Sequence, residues 1–497
     1  MKWANFLHIY QPFDQQGDIF EAITAQSYRP LLEKIREHKN VRITLNINGA
    51  LLELFDKFGY HDLIDILREV GKEGRIEFTS TAKYHAFLPL LEDKEIVRQV
   101  KINDETNKFY LGDSYAPKGF FPPEMAYKKE IIPIIESMGF KWIIVDEISA
   151  HAEIDTIDYK KIYKIKNSNM KVFFRERRIS NLIMSAVVRS PETLLSATIA
   201  DRASGRYLLT GMDGETFGHH RPGLEKLLFD VFSTNEFELV TVSEIQNFYK
   251  DTVEISPVTS TWASSKKDIE DGIQFLSWSD PENKIHTWQW ELLRLALKEV
   301  YRMDILSPGY KVIREKMDVA LASDQFFWAS AKPWWSVEMI EGGAYALLEV
   351  VRLVPNVKKE ILDEASKLYE RIIMTAFQWQ RSGKIREMFQ SQKSILRIPF
   401  KDRTYELRGE ELAKYNAFID MMKRLEKEAT EHSEYEKAIL WRDAVYKIEN
   451  KLDIYDVMSA VDLLRVEIPN HEVDAMIKKY QDEYRRLRGG QPEQRGS

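Results

Sequence analysis

The chain has 497 residues, 44% hydrophobic and 30% charged, with a formal charge of −7 and no cysteine. This is the composition of a soluble globular protein of two or three units. It excludes disulfides and thiolate metal sites and argues against nucleic acid as the main partner. No stretch approaches the roughly 18 apolar residues of a membrane span.

The start, MKWANFLHIY, reads as a strand without a signal peptide, so a cytoplasmic location is expected. Abundant Lys, Arg and Glu are compatible with a thermophile. Short apolar runs then alternate with longer amphipathic ones. Strands are predicted at Trp3–His8, Val41–Asn48, Arg75–Thr79, Gly119–Pro122, Lys141–Asp146, Leu182–Val188 and Arg206–Met212, with a further run at Glu238–Val242. Helical patterns fall between them at Tyr28–His38, Ala50–Gly71 and Lys94–Tyr110, while Tyr163–Glu176 reads as an inserted hairpin. Repeated strand, helix, strand units point to a parallel sheet closing into a barrel over residues 1–289. From about residue 290 the pattern turns helical: Glu291–Met303, Tyr310–Phe327, Val337–Val354, Val357–Arg381, Gly409–Glu431 and Glu436–Ile448. A helical domain over 290–488 is expected, joined through the Trp-rich segment Trp278–Trp290. The polar tail 489–497 reads as disordered.

Polar residues recur at the ends of the predicted strands, where a parallel barrel gathers its chemistry. These are His8 with Gln11, Asn46 with Asn48, Glu77 with Thr79, Glu124, Asp146 with Glu147, and Asp213 with Glu215. Two of them stand at turns. In FFPPEMAY, Pro122 and Pro123 can continue neither a ladder nor a helix, so Glu124 projects from the end of an element. In YLLTGMDGETFGHH, Asp213-Gly214 is a turn signal after an apolar run. Carboxylates on two such elements suit acid/base and nucleophilic chemistry on a glycosidic bond; a loop acid and a hairpin turn are the other uses of these patterns.

Taken in order, HIYQP (His8 to Pro12), GRIEFT (Gly74 to Thr79), FFPPEMAY, DGETFGHH and ASDQFFW (Ala322 to Trp328) resemble the five short motifs of glycoside hydrolase family 57. TAKYHAFLPLL around His85 and SWSDPENKIH around Trp278 add to the likeness. The resemblance implies a (β/α)7 barrel followed by a C-terminal α-helical domain that reaches back over the site. It implies a retaining enzyme of α-glucans, an α-amylase or amylopullulanase, with a 4-α-glucanotransferase or branching enzyme as the alternative. Glu124 matches the family's nucleophile and Asp213 its general acid/base. One departure is Tyr10, where many members carry a second histidine before Gln-Pro.

On this reading Asp213 must hold a proton, its acidity weakened by an ionised Glu124 and by burial. His8, Gln11, Glu77, His85 and Asp324 are candidate ligands of the sugar hydroxyls, with Asp146, Glu215 and His219 beside them. Trp262, Trp278, Trp328, Trp334 and Trp335 are candidates for stacking on pyranose faces, core packing being the other use of tryptophan. No cofactor is expected. A metal-dependent hydrolase would draw on His8, His85, Asp213, Glu215, His219 and His220, but the His-x-x-x-His pair of polysaccharide deacetylases is missing. A non-catalytic glucan-binding protein would be expected to lack one of the two carboxylates.

Overall fold

The computed structural model of the protein describes residues 1–331, 334–391 and 410–449, and within 460–487 residues 460, 463, 464, 467, 468 and 470–487. The strands are β1 (Lys2–Ile9), β2 (Ile43–Ile47), β3 (Ile76–Ser80), β4 (Gly119–Phe120), β5 (Trp142–Asp146), β6 (Ile162–Ile165), β7 (Lys171–Arg175), β8 (Leu208–Asp213), β9 (Glu238–Val240) and β10 (Thr252–Ile255). They form one sheet in the order β10-β6-β7-β5-β4-β3-β2-β1-β8, with β9 pairing the start of β1. Every pairing is parallel except β6 with β7. β2 (ITLNI) and β5 (WIIVD) are buried at every residue, as expected for parallel strands covered on both faces.

The sheet curls into a parallel-dominated half-barrel. Its β7 and β8 approach each other through the backbone bond from Glu176 N to Leu209 O (2.8 Å) and through Arg175 Nε, which donates to Gly211 O (2.5 Å). Register then sets the level of the polar residues. His8 pairs with Asp213 on one side and Asn46 on the other, and Asn46 pairs with Thr79. One row of polar side chains therefore crosses the C-terminal ends of four neighbouring strands.

Three local expectations are corrected. The run Leu182–Val188 is no strand: Arg177–Met184 is a helix whose N-terminus is capped by the Glu176 carboxylate. Ile179 and Ile183, one turn apart, are its buried face, a helical spacing masked by the apolar run after Asn181. The hairpin at Tyr163–Glu176 exists, but its second arm, β7, is a full member of the sheet beside β5. The long pattern Ala50–Gly71 divides into helices Gly49–Lys57 and His61–Lys72, broken where Gly59 takes φ 78°.

The helical part begins at Lys284, where the Asn283 side chain accepts from the backbone N–H of Ile285 and His286. The expected boundary at 289 thus falls inside the helix Lys284–Tyr301. Helices Tyr310–Ala320, Asp324–Phe327, Val337–Leu353, Lys359–Ser382 and Lys384–Ser391 follow. Ile285, Leu293, Met317, Leu347 and Ile372 from these helices lie in the same core as Phe6, Phe120 and Ile143 of the sheet. Beyond them, Met421, Met422, Trp441 and Leu464 belong to a separate cluster. The expected tail, 489–497, lies outside the described residues.

A buried ion network fastens the helices to the sheet's outer layer. Arg314 of Tyr310–Ala320 contacts Glu95 of the helix Asp93–Leu111 and lies 2.8 Å from Asp318, which also takes Arg98 at 2.6 Å. Arg314, Glu95 and Asp318 are each no more than 3% exposed. Arg314→Met would take the cation from the buried Glu95 carboxylate and leave it the Tyr301 hydroxyl (3.0 Å), at a cost of about 3–5 kcal/mol. A clear fall in Tm is expected; an unchanged Tm would show that the network does not fasten the two parts.

Candidate active site

Glu124 sits where the chain is forced out of regular structure. Pro122 is extended (φ −70°, ψ 132°), and Glu124 (φ 63°) and Met125 (φ 48°) both take left-handed conformations. Two consecutive non-glycine residues there cost about 1–3 kcal/mol each, and the surroundings must impose them. They do: Met125 is fully buried, Tyr127 and Ser260 exchange backbone hydrogen bonds, and Trp262 N donates to Glu124 O (3.2 Å). The same segment aims an indole at the carboxylate, with Trp262 Nε1–H donating to Glu124 Oε2 at 2.7 Å.

Asp213 ends β8, and the turn after it packs tightly on β1. A Cβ at Gly214 would lie 2.4 Å from Ile9 Cγ2, so only glycine fits. Burial pushes the Asp213 carboxyl up to about 6, opposed by the Arg175 guanidinium. At Glu124, burial and then the charge of Asp213 push the carboxyl up to about 8, while the Trp262 N–H holds it down and Asp324 adds a smaller rise. The expected order is therefore reversed in the free protein. Arg175 favours the ionised form of Asp213, and Glu124 is the stronger holder of a proton.

Around this pair stands a stack of three rings. Tyr10 lies over His85 (centroids 4.4 Å apart, 17° between planes), and His85 over His8 (5.1 Å, 22°). His8 Nδ1 is 2.7 Å from Asn46 Oδ1, and Asn46 Nδ2 donates to Thr79 Oγ1. An amide oxygen only accepts, so Nδ1 of His8 carries the hydrogen and Nε2 is left as an acceptor. Burial lowers His8 to about 4 and His85 well below its usual range, so both rings are neutral near pH 7. His85, itself left-handed (φ 52°), has Nδ1 at 3.1 Å from Ser323 Oγ and 3.8 Å from Glu124 Oε1.

The helical part closes over the stack. Ala86 and Ala322 form a bridge, and the short helix Asp324–Phe327 brings Asp324 Oδ2 to 2.7 Å from the Tyr10 hydroxyl, which donates to it. Burial raises the Asp324 carboxyl to about 6 against that hydrogen bond. Glu215 lies beneath. It accepts from Tyr10 N (3.2 Å), Gln11 Nε2 (3.3 Å) and the Tyr28 hydroxyl, and burial, then Asp213, raises it to about 7. Glu215 and Gln11 thus lock the first motif onto the fourth.

Glu124, Asp213, His8, His85, Trp262 and Asp324 come together, with Gln11 and Glu215 supporting them. Other candidates fall elsewhere. Glu77 pairs with Thr44, two residues before the polar row, and accepts from Thr44 Oγ1 and Ser243 N (both 3.0 Å) at the opposite end of the strand. Asp146 is fully covered and paired with Arg175 and Arg177, so it presents no atom to a ligand. Trp278 is 1% exposed, its faces taken by Phe87 and Phe327. His219 bonds Gln26 (2.8 Å). Trp328 and Trp334 meet edge to face at 5.6 Å, Trp334 being 36% exposed, while Trp335 stacks on Trp379. Among the described residues no three His, Asp or Glu side chains are grouped to hold a metal ion. Sequence reasoning missed Arg175, Arg177 and Ser323. For Arg175 the signal was present, a polar residue closing the apolar run KVFFR.

Residues 5–257 match the family model Glycosyl hydrolase family 57. A 4-α-glucanotransferase of Thermococcus litoralis is 24% identical over 58% of this chain and 46% of its own length. An α-amylase of Pyrococcus horikoshii is 24% identical over 48% of this chain and 37% of its own. The chain thus spans less than half the length of either curated relative. The crystal structure of a GH57-type branching enzyme from Pyrococcus horikoshii superposes with a TM-score of 0.59 at 16% identity, covering 74% of this chain and 94% of that one.

Tyr10→Phe removes the donor that holds Asp324 in its ionised form. The Asp324 carboxyl should titrate above about 6, visible in a carbon-13 NMR pH titration, and stability should fall by about 1–3 kcal/mol. An unmoved titration would show that the hydroxyl does not govern this acid.

Proposed function

The chain belongs to glycosyl hydrolase family 57, and we propose that it is a retaining glycosidase of α-glucans with Glu124 as nucleophile and Asp213 as general acid/base. The observation that carries this reading is the pair of carboxyls, both raised by burial and the charge of one felt by the other, with an indole donor on Glu124. In this reading the curled sheet is the catalytic (β/α)7 barrel, ending before the helix that begins at Lys284. The helical part that starts there completes the site through Asp324.

The chemistry runs in two displacements. Glu124 Oε attacks the anomeric carbon while Asp213 gives its proton to the departing glycosidic oxygen, leaving a glycosyl ester on Glu124. Asp213, now ionised, takes a proton from the incoming hydroxyl, which attacks the same carbon and frees Glu124. Water as the second nucleophile gives hydrolysis; a sugar hydroxyl gives transfer or branching. Trp262 is suited to hold the ionised form of Glu124, and neutral His8 offers its Nε2 to a sugar hydroxyl. The relatives' names cover both outcomes, and product analysis on amylose, pullulan and maltooligosaccharides separates them.

The first displacement needs one proton on the pair, carried by Asp213 while Glu124 is ionised, which is the minority arrangement in the free protein. Below about 6 both carboxyls are protonated and the nucleophile is lost; above about 8 both are ionised and the acid is lost. The pH–rate profile should be a bell with limbs near these values, and a flat profile from pH 5 to pH 9 would contradict the assignment.

Glu124→Ala should cut turnover by several orders of magnitude in a folded protein, with azide partly restoring cleavage to an inverted product. Near-normal activity would remove the nucleophile assignment. Asp213→Asn should depress activity on poor leaving groups far more than on activated aryl glycosides. Equal losses on both substrates would deny it the role of acid.

A further inference from the structure

Asp146 was a candidate substrate ligand, yet its carboxylate is fully covered at the end of β5. Its two oxygens reach in different directions. Oδ2 accepts from Arg175 Nη1 (2.7 Å), and Oδ1 accepts from Ile148 N (3.0 Å) and lies 2.8 Å from Arg177 Nη2. That same Arg177 Nη2 donates to Trp262 O at 2.8 Å, and Nη1 donates to Ser264 O at 3.0 Å. The Arg177 fork thus clamps the segment whose indole donates to Glu124. Arg175 turns the other way. Its Nε donates to Gly211 O (2.5 Å), two residues before Asp213, and its remaining Nη2 goes to Asn181 Oδ1 (2.9 Å).

We propose that Asp146 is a positioning residue for both reacting carboxylates, acting through Arg177 and Trp262 on Glu124 and through Arg175 on Asp213. The proposal rests on the glycosidase reading above, in which these two are the reacting groups. Both arms leave one carboxylate, so one change there reaches the two ends of the reaction at once. Its own neighbours complete the account. Glu147, next in the chain, accepts from Arg177 N (2.7 Å) and Asp155 N (3.1 Å), and Glu176 pairs with Arg178 (3.3 Å) and Arg206 (3.0 Å). Tyr159 is the phenol that feels Glu147, Glu176 and Asp146. On the Asp213 side, Glu215 and Glu124 are the acids that feel its charge.

Two substitutions move Glu124 in the same direction. Asp146→Asn keeps the shape but replaces one acceptor oxygen by an amide nitrogen that cannot accept from an arginine, so the Arg177 clamp on the Trp262–Ser264 segment loosens. The indole donor then holds ionised Glu124 less well, and Glu124 should titrate higher. Arg177→Lys keeps the cation beside Asp146 but cannot hold both carbonyls of the Trp262–Ser264 segment. The indole donor loosens, and Glu124 should titrate higher.

The test follows the Trp262 indole N–H resonance against pH in the full chain, assigned by its loss in Trp262→Phe and tied to Glu124 by its flat titration in Glu124→Gln. The expected result is a midpoint moved up in both Asp146→Asn and Arg177→Lys. The limbs of the pH–rate bell should move the same way, and kcat should fall more than KM changes. Folded variants with the wild-type midpoint and limbs would overturn the proposal, however much stability they lost. If Asp146→Asn fails to fold, Arg177→Lys decides by the same criterion. Full activity of Glu124→Ala would instead sink the functional reading. Wild-type midpoints in variants of an enzyme that Glu124→Ala inactivates would sink this proposal alone.

Discussion

Four buried acids, Glu124, Asp213, Glu215 and Asp324, are grouped together, and the way their charge is managed governs the rest of the site. Burying carboxylates side by side is costly unless donors satisfy them, and cations are the usual solution. Here the donors that touch them are mostly neutral: the Trp262 indole, the Tyr10 and Tyr28 hydroxyls, the Gln11 amide. Neutral donors satisfy hydrogen bonds without suppressing protonation, so all four groups stay titratable near neutrality. A guanidinium in contact with Glu124 would have held it permanently ionised. Arg175 is kept one step back, bonded to a carbonyl and to Asp146, and only tempers Asp213.

The backbone contributes in the same sense. Left-handed turns at His85, Glu124 and Met125 re-aim side chains that a regular strand end would have pointed elsewhere. Their cost is met by packing, since Met125 and His85 are buried and the Tyr127–Ser260 bridge pins the segment. Sheet register does the complementary task, bringing His8, Asn46, Thr79 and Asp213 level without any special conformation.

Much of this was legible in the sequence because strand ends announce themselves. Pro122-Pro123 and Asp213-Gly214 mark chain reversals, and an apolar run halting at a carboxylate fixes which residue is presented. Glu77 shows where that logic slips. It lies early in β3 on the same face as Thr79, and a strand pattern gives alternation between faces but not how far along the strand the site reaches. Trp278 failed for another reason: an aromatic suited to stacking on a sugar is equally suited to stacking on Phe87, and only packing decides. The roles of the arginines were hidden, even though Arg175 closes the apolar run KVFFR, because their importance lies in what they bridge. Arg175 and Arg177 join β5, β8 and the 262–264 segment, contacts spanning some 30 to 90 positions that no local pattern encodes. The helix at Arg177–Met184 was hidden by a run of apolar residues that could serve either period.

The core that runs without a break from Phe6 and Ile143 into Leu293, Leu347 and Ile372 has a wider consequence. Asp324 is carried by the helical layer, and among the described residues the apolar interior of that layer between 284 and 376 is the sheet's. The layer over the acids is therefore built of the same masonry as the strands beneath it, and Asp324 meets Tyr10 across it. In such a building, variation cannot treat floor and ceiling as separate storeys. A volume change at Leu347 or Ile372 is felt in the same core that carries the strands of the site.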